Sequence, residues 1–174
     1  MTAARTLLLL RHAKSSWDDP GLADFDRALA RRGREAAPRI GAEMARQGWL
    51  PDRALVSTAA RTRQTWALVA AELPREVHAS FEDAIYEAPA LRILAAIREA
   101  PETAASLVVV GHNPGMEDLA ALLASPDSDP DALARMRAKF PTAALARFVF
   151  DGDWAGLGPG GARLAGFIAP GDVS

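Results

Sequence analysis

Leu7-Leu8-Leu9-Leu10-Arg11-His12-Ala13-Lys14 passes without interruption from four leucines to a basic, titratable cluster. Four consecutive apolar residues fall far short of the ~20 needed to cross a membrane and of a signal peptide's apolar region, but they suit a strand buried on both faces. Arg53-Ala54-Leu55-Val56, Glu76-Val77-His78-Ala79 and Leu107-Val108-Val109-Val110 repeat the theme. Between them, residues 30–47, 59–73, 89–100 and 115–123 place apolar side chains at helical spacing. Alternating strands and helices predict a layered α/β domain with a parallel sheet and right-handed crossovers. Pro38 lies inside the first helical stretch, where the loss of a backbone donor predicts a kink.

The C-terminal part reads differently. Residues 143–150 and 162–168 look like strands joined by a turn and a glycine-rich stretch, which predicts a hairpin and at least one antiparallel strand. The glycine-rich stretch, residues 156–161, matches the string GxGxxG. A dinucleotide loop needs a helix after it to aim backbone amides at pyrophosphate, and here a strand follows. Asp127, Asp129 and Asp131 imitate the start of a calcium loop, but Ala132 stands where its glycine belongs and Ala138 where its glutamate belongs. That segment reads as a surface loop before a short helix around residues 132–139.

The 174 residues correspond to about one domain, residues 1–174. With 20 basic and 22 acidic residues the net charge is −2, so no global positive field holds nucleic acid or an anionic membrane. Any anion must be bound locally. The absence of cysteine excludes disulfides, thiol nucleophiles and thiolate metal sites. With no leader or anchor apparent, the expected compartment is the cytoplasm.

In an open parallel sheet, ligands bind beyond the carboxyl ends of the strands. The first predicted strand runs into Arg11-His12, the second into Ser57-Thr58-Ala59-Ala60-Arg61, and the fourth into Gly111-His112-Asn113-Pro114-Gly115. His12 and His112, two of only three histidines, converge there with Arg11 and Arg61 if the first and fourth strands are neighbours. With Ser57 or Thr58 as N-cap, Arg61 falls in the first turn of a helix, where the dipole disfavours a cation unless an anion joins it. A neutral imidazole attacks phosphorus, and guanidinium forks hold phosphoryl oxygens and offset transition-state charge. His12 is therefore the candidate nucleophile, with Arg11 and Arg61 as phosphate ligands and His112, if protonated, as a third donor. No metal is expected, because no carboxylate lies at ligand spacing and the arginines repel a cation.

LLLLRHAKSSW at residues 7–17, LARRGREAAPRIG at 29–41, STAARTRQT at 57–65 and GHNPG at 111–115 together resemble the histidine phosphatase superfamily, of phosphoglycerate mutase-like fold. FPTAALA at 140–146 and FDGDW at 150–154 resemble its small SixA-like phosphohistidine phosphatases. The resemblance spans nearly the whole chain. It implies a three-layer α/β/α sandwich with a mostly parallel six-stranded sheet and one antiparallel strand. His12 would be the nucleophile and Arg11, Arg61 and His112 the phosphoryl ligands, with no metal or cofactor.

Two departures stand out: Ala13 replaces the usual glycine after Arg-His, and Asp18 follows Trp17 where mutase-type members commonly carry Asn. Those members also supply a carboxylate after the third strand. Glu82 is the first choice for that general acid, with Asp83 and Glu87 in the same region. No motif singles one out. An imidazole leaving group can carry its own proton, whereas an alkoxide needs a donor, so a histidine-phosphorylated protein ranks above a small phosphate ester. A regulatory module that binds phosphate without turnover is the further alternative. Lys14, Ser15 and Ser16 extend the loop; Asn113 fits a turn role beside Pro114, His78 a structural one, and the four tryptophans packing roles, with Trp17 placed to wall the pocket.

Overall fold

The computed structural model describes residues 4–173. The strands are β1 (Arg5–Arg11), β2 (Arg53–Ser57), β3 (His78–Glu82), β4 (Ser106–Gly111), β5 (Leu145–Phe150) and β6 (Arg163–Ile168). They form one six-stranded sheet in the order β3-β2-β4-β1-β5-β6. β1 to β4 run parallel, and β5 is antiparallel to both of its neighbours.

The helices α1 (Arg31–Gln47), α2 (Ala60–Ala70), α3 (Ala90–Arg98), α4 (Gly115–Leu123) and α5 (Pro130–Ala138) divide between the two faces. Leu8, Leu10, Val108 and Val110 pack with Ile40 and Met44 of α1 and Trp66 and Val69 of α2. Leu7, Leu9, Leu107 and Val109 pack with Ile93 of α3, Leu119 of α4 and Met136 of α5. The expected α/β/α sandwich is thus observed. β1 reads as an unbroken leucine run because its alternate side chains enter two different cores. At ~1.5–3 kcal/mol for each fully buried leucine, this strand is a principal source of stability.

Several boundaries shift. The third strand starts at His78 rather than Glu76, because β3 is an edge strand whose extent is set by pairing with Arg53 to Ser57 rather than by an apolar run. The N-cap of α2 is Ala59, not Ser57 or Thr58. The two hydroxyls are engaged elsewhere, Ser57 with His112 and Thr58 with Asp83. α1 continues through Pro38 as one helix and ends on Gly48 at φ 74°, where Trp49 N–H reaches back to the Met44 carbonyl. Asp129 caps α5 by accepting from Ala132 N–H at 2.8 Å, which gives the aspartate run a structural use. The glycine-rich stretch connects β5 to β6. No helix among the described residues is long and apolar enough to cross a membrane.

One backbone approach positions the loop after β1. The Lys14 carbonyl accepts from Ala30 N–H at 2.8 Å, and a Cβ on Gly33 would lie 2.2 Å from that same oxygen. Only a residue without a side chain lets the first turn of α1 seat against the loop. Gly33→Ala is expected to lower the unfolding free energy by about 1–3 kcal/mol in urea titrations. Gly171→Ala, where a Cβ meets nothing within 4 Å, should stay within roughly 0.5 kcal/mol of wild type. Equal stability of the two variants would refute the close approach.

Candidate active site

β1 and β4 pair in register up to Arg11 opposite Gly111, and His12 N–H adds one more bond to the Gly111 carbonyl at 3.0 Å. The next side chains therefore emerge side by side. The rings of His12 and His112 stand 5.3 Å apart between centroids, and both residues are buried. His12 Nδ1 lies 2.7 Å from the Ala13 carbonyl. A carbonyl only accepts, so Nδ1 carries the proton and Nε2 keeps its lone pair. His112 Nε2 meets Ser57 Oγ, at the end of β2, at 2.7 Å, while its Nδ1 lies 3.5 Å from a Glu87 carboxylate oxygen.

Arg61 follows Ala60 in the first turn of α2, as the sequence indicated, and is buried. It donates to the Asp24 carbonyl at 2.8 Å, to Asp24 Oδ2 at 3.0 Å and to Glu87 Oε1 at 2.7 Å. α2 is also tied to the loop after β1: Thr65 Oγ1 accepts from Ala13 N–H at 2.9 Å and donates to the Arg61 carbonyl at 2.7 Å. Arg11 donates to the Phe140 carbonyl at 3.1 Å. Arg27 bonds Asp24, Ser15 and the Ser16 carbonyl, and its guanidinium stacks 3.2 Å from the centre of the Trp17 ring.

Burial and the surrounding cations act together on the imidazoles. His12 is pushed down to about 4, first by desolvation and then by Arg61, Arg11 and Arg27, against the opposing Ala13 carbonyl. His112 is pushed down to about 3 by desolvation, His12 and Arg61. Both rings are neutral at pH 7, so His112 offers one N–H rather than the two of an imidazolium. Asp24 is held down at about 2, chiefly by the Tyr86 hydroxyl at 2.5 Å and then by Arg27 and Arg61. Burial lowers the Arg11 guanidinium, with Glu117 opposing.

His12, His112, Arg11 and Arg61 are thus brought together at one sheet edge. Glu82 is not among them: it accepts from Ser80 Oγ at 2.6 Å in a groove between β3 and α3, and Asp83 accepts from Thr58. The carboxylate beside the histidines is Glu87, whose backbone φ of 50° belongs to a turn that no periodicity could reveal. Asp24, Tyr86 and Ser57 also belong to the site. Nothing in the polar stretch around Asp24 marked it as the carboxylate shared by Arg27, Arg61 and Tyr86.

Asn113 fills a turn role, accepting from Glu117 N–H at the start of α4 and donating to the Phe140 carbonyl. His78 is exposed at the start of β3. Trp66 and Trp154 are buried, whereas Trp17 is 72% exposed on the loop beside the site.

The sandwich, its strand order and the imidazole pair flanked by guanidinium groups define a phosphoglycerate mutase-like protein with a paired-histidine site. Residues 7–90 match the model of the histidine phosphatase superfamily, branch 1. An uncharacterized protein of Mycobacterium tuberculosis (strain H37Rv) is 38% identical over 168 residues, covering 92% of this chain and 99% of its own. A solved structure of a candidate phosphohistidine phosphatase SixA from Nakamurella multipartitia is 33% identical with a TM-score of 0.83, covering 98% of this chain and 99% of its own. Its counterpart from Agrobacterium tumefaciens is 34% identical with a TM-score of 0.78, covering 95% and 98%. The chain belongs to the histidine phosphatase superfamily, among its SixA-like members, and its activity is that of a phosphatase.

The neutral histidines make stability depend on pH. Below about 6.5 the unfolded chain takes up protons on these side chains, which the folded site resists until about 4 for His12 and about 3 for His112. Stability is therefore expected to fall as pH drops from 6.5 towards 4, by roughly 1.4 kcal/mol per unit for each fully contributing histidine. His112→Asn should flatten that slope in urea titrations at pH 7.0, 6.0 and 5.0. An unchanged slope would contradict the neutral assignment.

Proposed function

We propose that the protein hydrolyses phosphohistidine on a partner protein, without a metal ion, through a phospho-His12 intermediate. The observation that carries the reading is His12 itself. Its Nδ1 proton is committed to the Ala13 carbonyl, so the lone pair on Nε2 is available as a nucleophile, within the field of Arg11 and Arg61. In the first step Nε2 attacks phosphorus and the bond to the substrate imidazole breaks, that ring taking the electron pair and leaving neutral because its other nitrogen carries a proton. In the second, water attacks the phosphorus, the bond to Nε2 breaks and inorganic phosphate leaves. Arg11 and Arg61 offset charge on the phosphoryl oxygens, and the N–H of His112 adds a donor that strengthens when a dianion is bound beside it.

The likeness to SixA-named proteins over nearly their whole length supports phosphohistidine as the substrate. The bonding of Glu87 supports it too. That carboxylate accepts from Arg61 at 2.7 Å, which is the posture of an acceptor rather than of a donor waiting for an alkoxide. A second reading rests on the same residue: Glu87 is the carboxylate nearest His112, and if a bound dianion drew Arg61 away it would take up a proton and serve as the acid for a small phosphate ester.

Phosphate release from a phosphohistidine peptide and from an aryl phosphate, both with EDTA present, separates these readings. Wild type should turn over the peptide, and His12→Ala should lose at least ~10³-fold in kcat. Glu87→Gln should cost less than about threefold on the peptide and more on the ester. An ester preference with a large Glu87→Gln defect would move the substrate to small molecules. Turnover abolished by EDTA and restored by a divalent cation would refute metal independence, and binding without release would leave a phosphate-binding module.

A further inference from the structure

The chain has only two lysines, Lys14 and Lys139, and both line one cavity of about 470 Å³ together with Arg11 and Arg32. A smaller hollow of about 160 Å³ shares Lys14, Arg32 and Thr142 with it and adds Arg39. Arg32 and Arg39 are seven residues apart on α1, two helical turns, and so present their charges on one side of the helix. Lys14 comes from the loop after β1 and Lys139 from the end of α5. Three separate elements therefore turn cations towards the same space.

These charges lack contact partners of opposite sign among the described residues, and the one carboxylate acting on them from a distance is Glu117, on Arg11. Among the described residues, Arg11, Lys14, Arg32, Arg39 and Lys139 form no ion pair, although ten such contacts occur elsewhere. Glu35 is the single carboxylate lining either hollow, and it is bonded to Arg31. Like charges gathered in a concave site repel one another and focus a positive potential, which suits an anion that repays the repulsion. In a chain of net charge −2 this concentration is local.

We propose that this cavity is a second anion subsite, which takes a second phosphate or carboxylate group of the same substrate. Arg11 lies between the two sites: it lines the cavity and immediately precedes His12. The proposal rests on His12 as phosphoryl acceptor, since that places the first anion. Lysines suit a group whose orientation varies, because an ammonium is a point charge on a flexible stem rather than a fixed fork. A substrate with one isolated phosphoryl group would use only the first site.

Calorimetric titrations with inorganic phosphate and inorganic tripolyphosphate test this, made in a His12→Ala background so that neither ligand is turned over. Tripolyphosphate should bind at least roughly tenfold more tightly than phosphate. Arg32→Gln with Lys139→Gln should bring that ratio to within about threefold and leave phosphate affinity unchanged. Arg46→Gln, which removes a charge at the other end of α1, should behave like the background protein. A parallel arm uses phosphohistidine peptides carrying Glu or Gln beside the phosphorylated residue, assayed with His12 present. A lower KM for the Glu peptide that vanishes in the double variant assigns the second anion to an acidic side chain of a partner. A tripolyphosphate advantage that vanishes there without any peptide preference assigns it to a second phosphate. If neither peptide is turned over, the phosphohistidine reading fails while the titrations still decide the subsite. If the double variant changes neither ratio, or Arg46→Gln changes both equally, the subsite is overturned.

Discussion

Parallel pairing of β1 with β4 is the constraint on which the rest of the site depends. It runs from Thr6 opposite Ser106 to Arg11 opposite Gly111, and the backbone bond from His12 to Gly111 extends it by one residue. The pair lies at the centre of the sheet, with leucine and valine side chains entering both cores. A slip of one residue would turn each buried side chain to the opposite face, so the register is strongly determined. The same register sets two histidines, remote in sequence, 5.3 Å apart. Stability of the core and geometry of the site are consequences of one ladder.

The chemistry follows from where that ladder ends. Burial removes water from the imidazoles, and the nearby guanidinium groups disfavour a further positive charge, so both rings are held neutral. A neutral ring is what a nucleophilic histidine requires. The guanidinium groups are themselves restrained: Arg61 by Asp24 and Glu87, Arg27 by Asp24 and Ser15, Arg11 by the Phe140 carbonyl. Asp24 bonds Arg27, Arg61 and Tyr86 together and so orients two cations and the aromatic ring that stands edge-on to His112. On the proposed reaction, an incoming phosphoryl dianion competes with these carboxylates for Arg61. Such a site would favour a dianion over a weakly charged ligand.

Loops from both halves of the chain complete the surroundings. The loop after β1 seats its Lys14 carbonyl against Gly33 of α1, and Lys14 and Arg32 line the same cavity. The segment after α5 brings Phe140 to Arg11 and Asn113, and Lys139 to the neighbouring cavity. The positive wall beside Arg11 is thus assembled by the tertiary fold from short, separate pieces.

The sequence by itself determined the layered fold. A leucine run with no polar interruption can be satisfied only between two apolar layers, and the helical stretches between such runs supply those layers. It also gathered His12, Arg11, Arg61 and His112 at one edge of the sheet, since strand ends in a parallel sheet lie together. Only the tertiary structure decided which carboxylate stands there. Glu82 continues an edge strand and bonds Ser80, while the turn at Glu87, with its positive φ, returns that side chain to Arg61 and His112. Asp24, Tyr86, Ser57 and the lysine-lined cavity were equally hidden. Each acts through contacts between residues far apart in the chain, and side-chain direction in a turn or loop depends on backbone dihedrals that a periodic pattern does not encode.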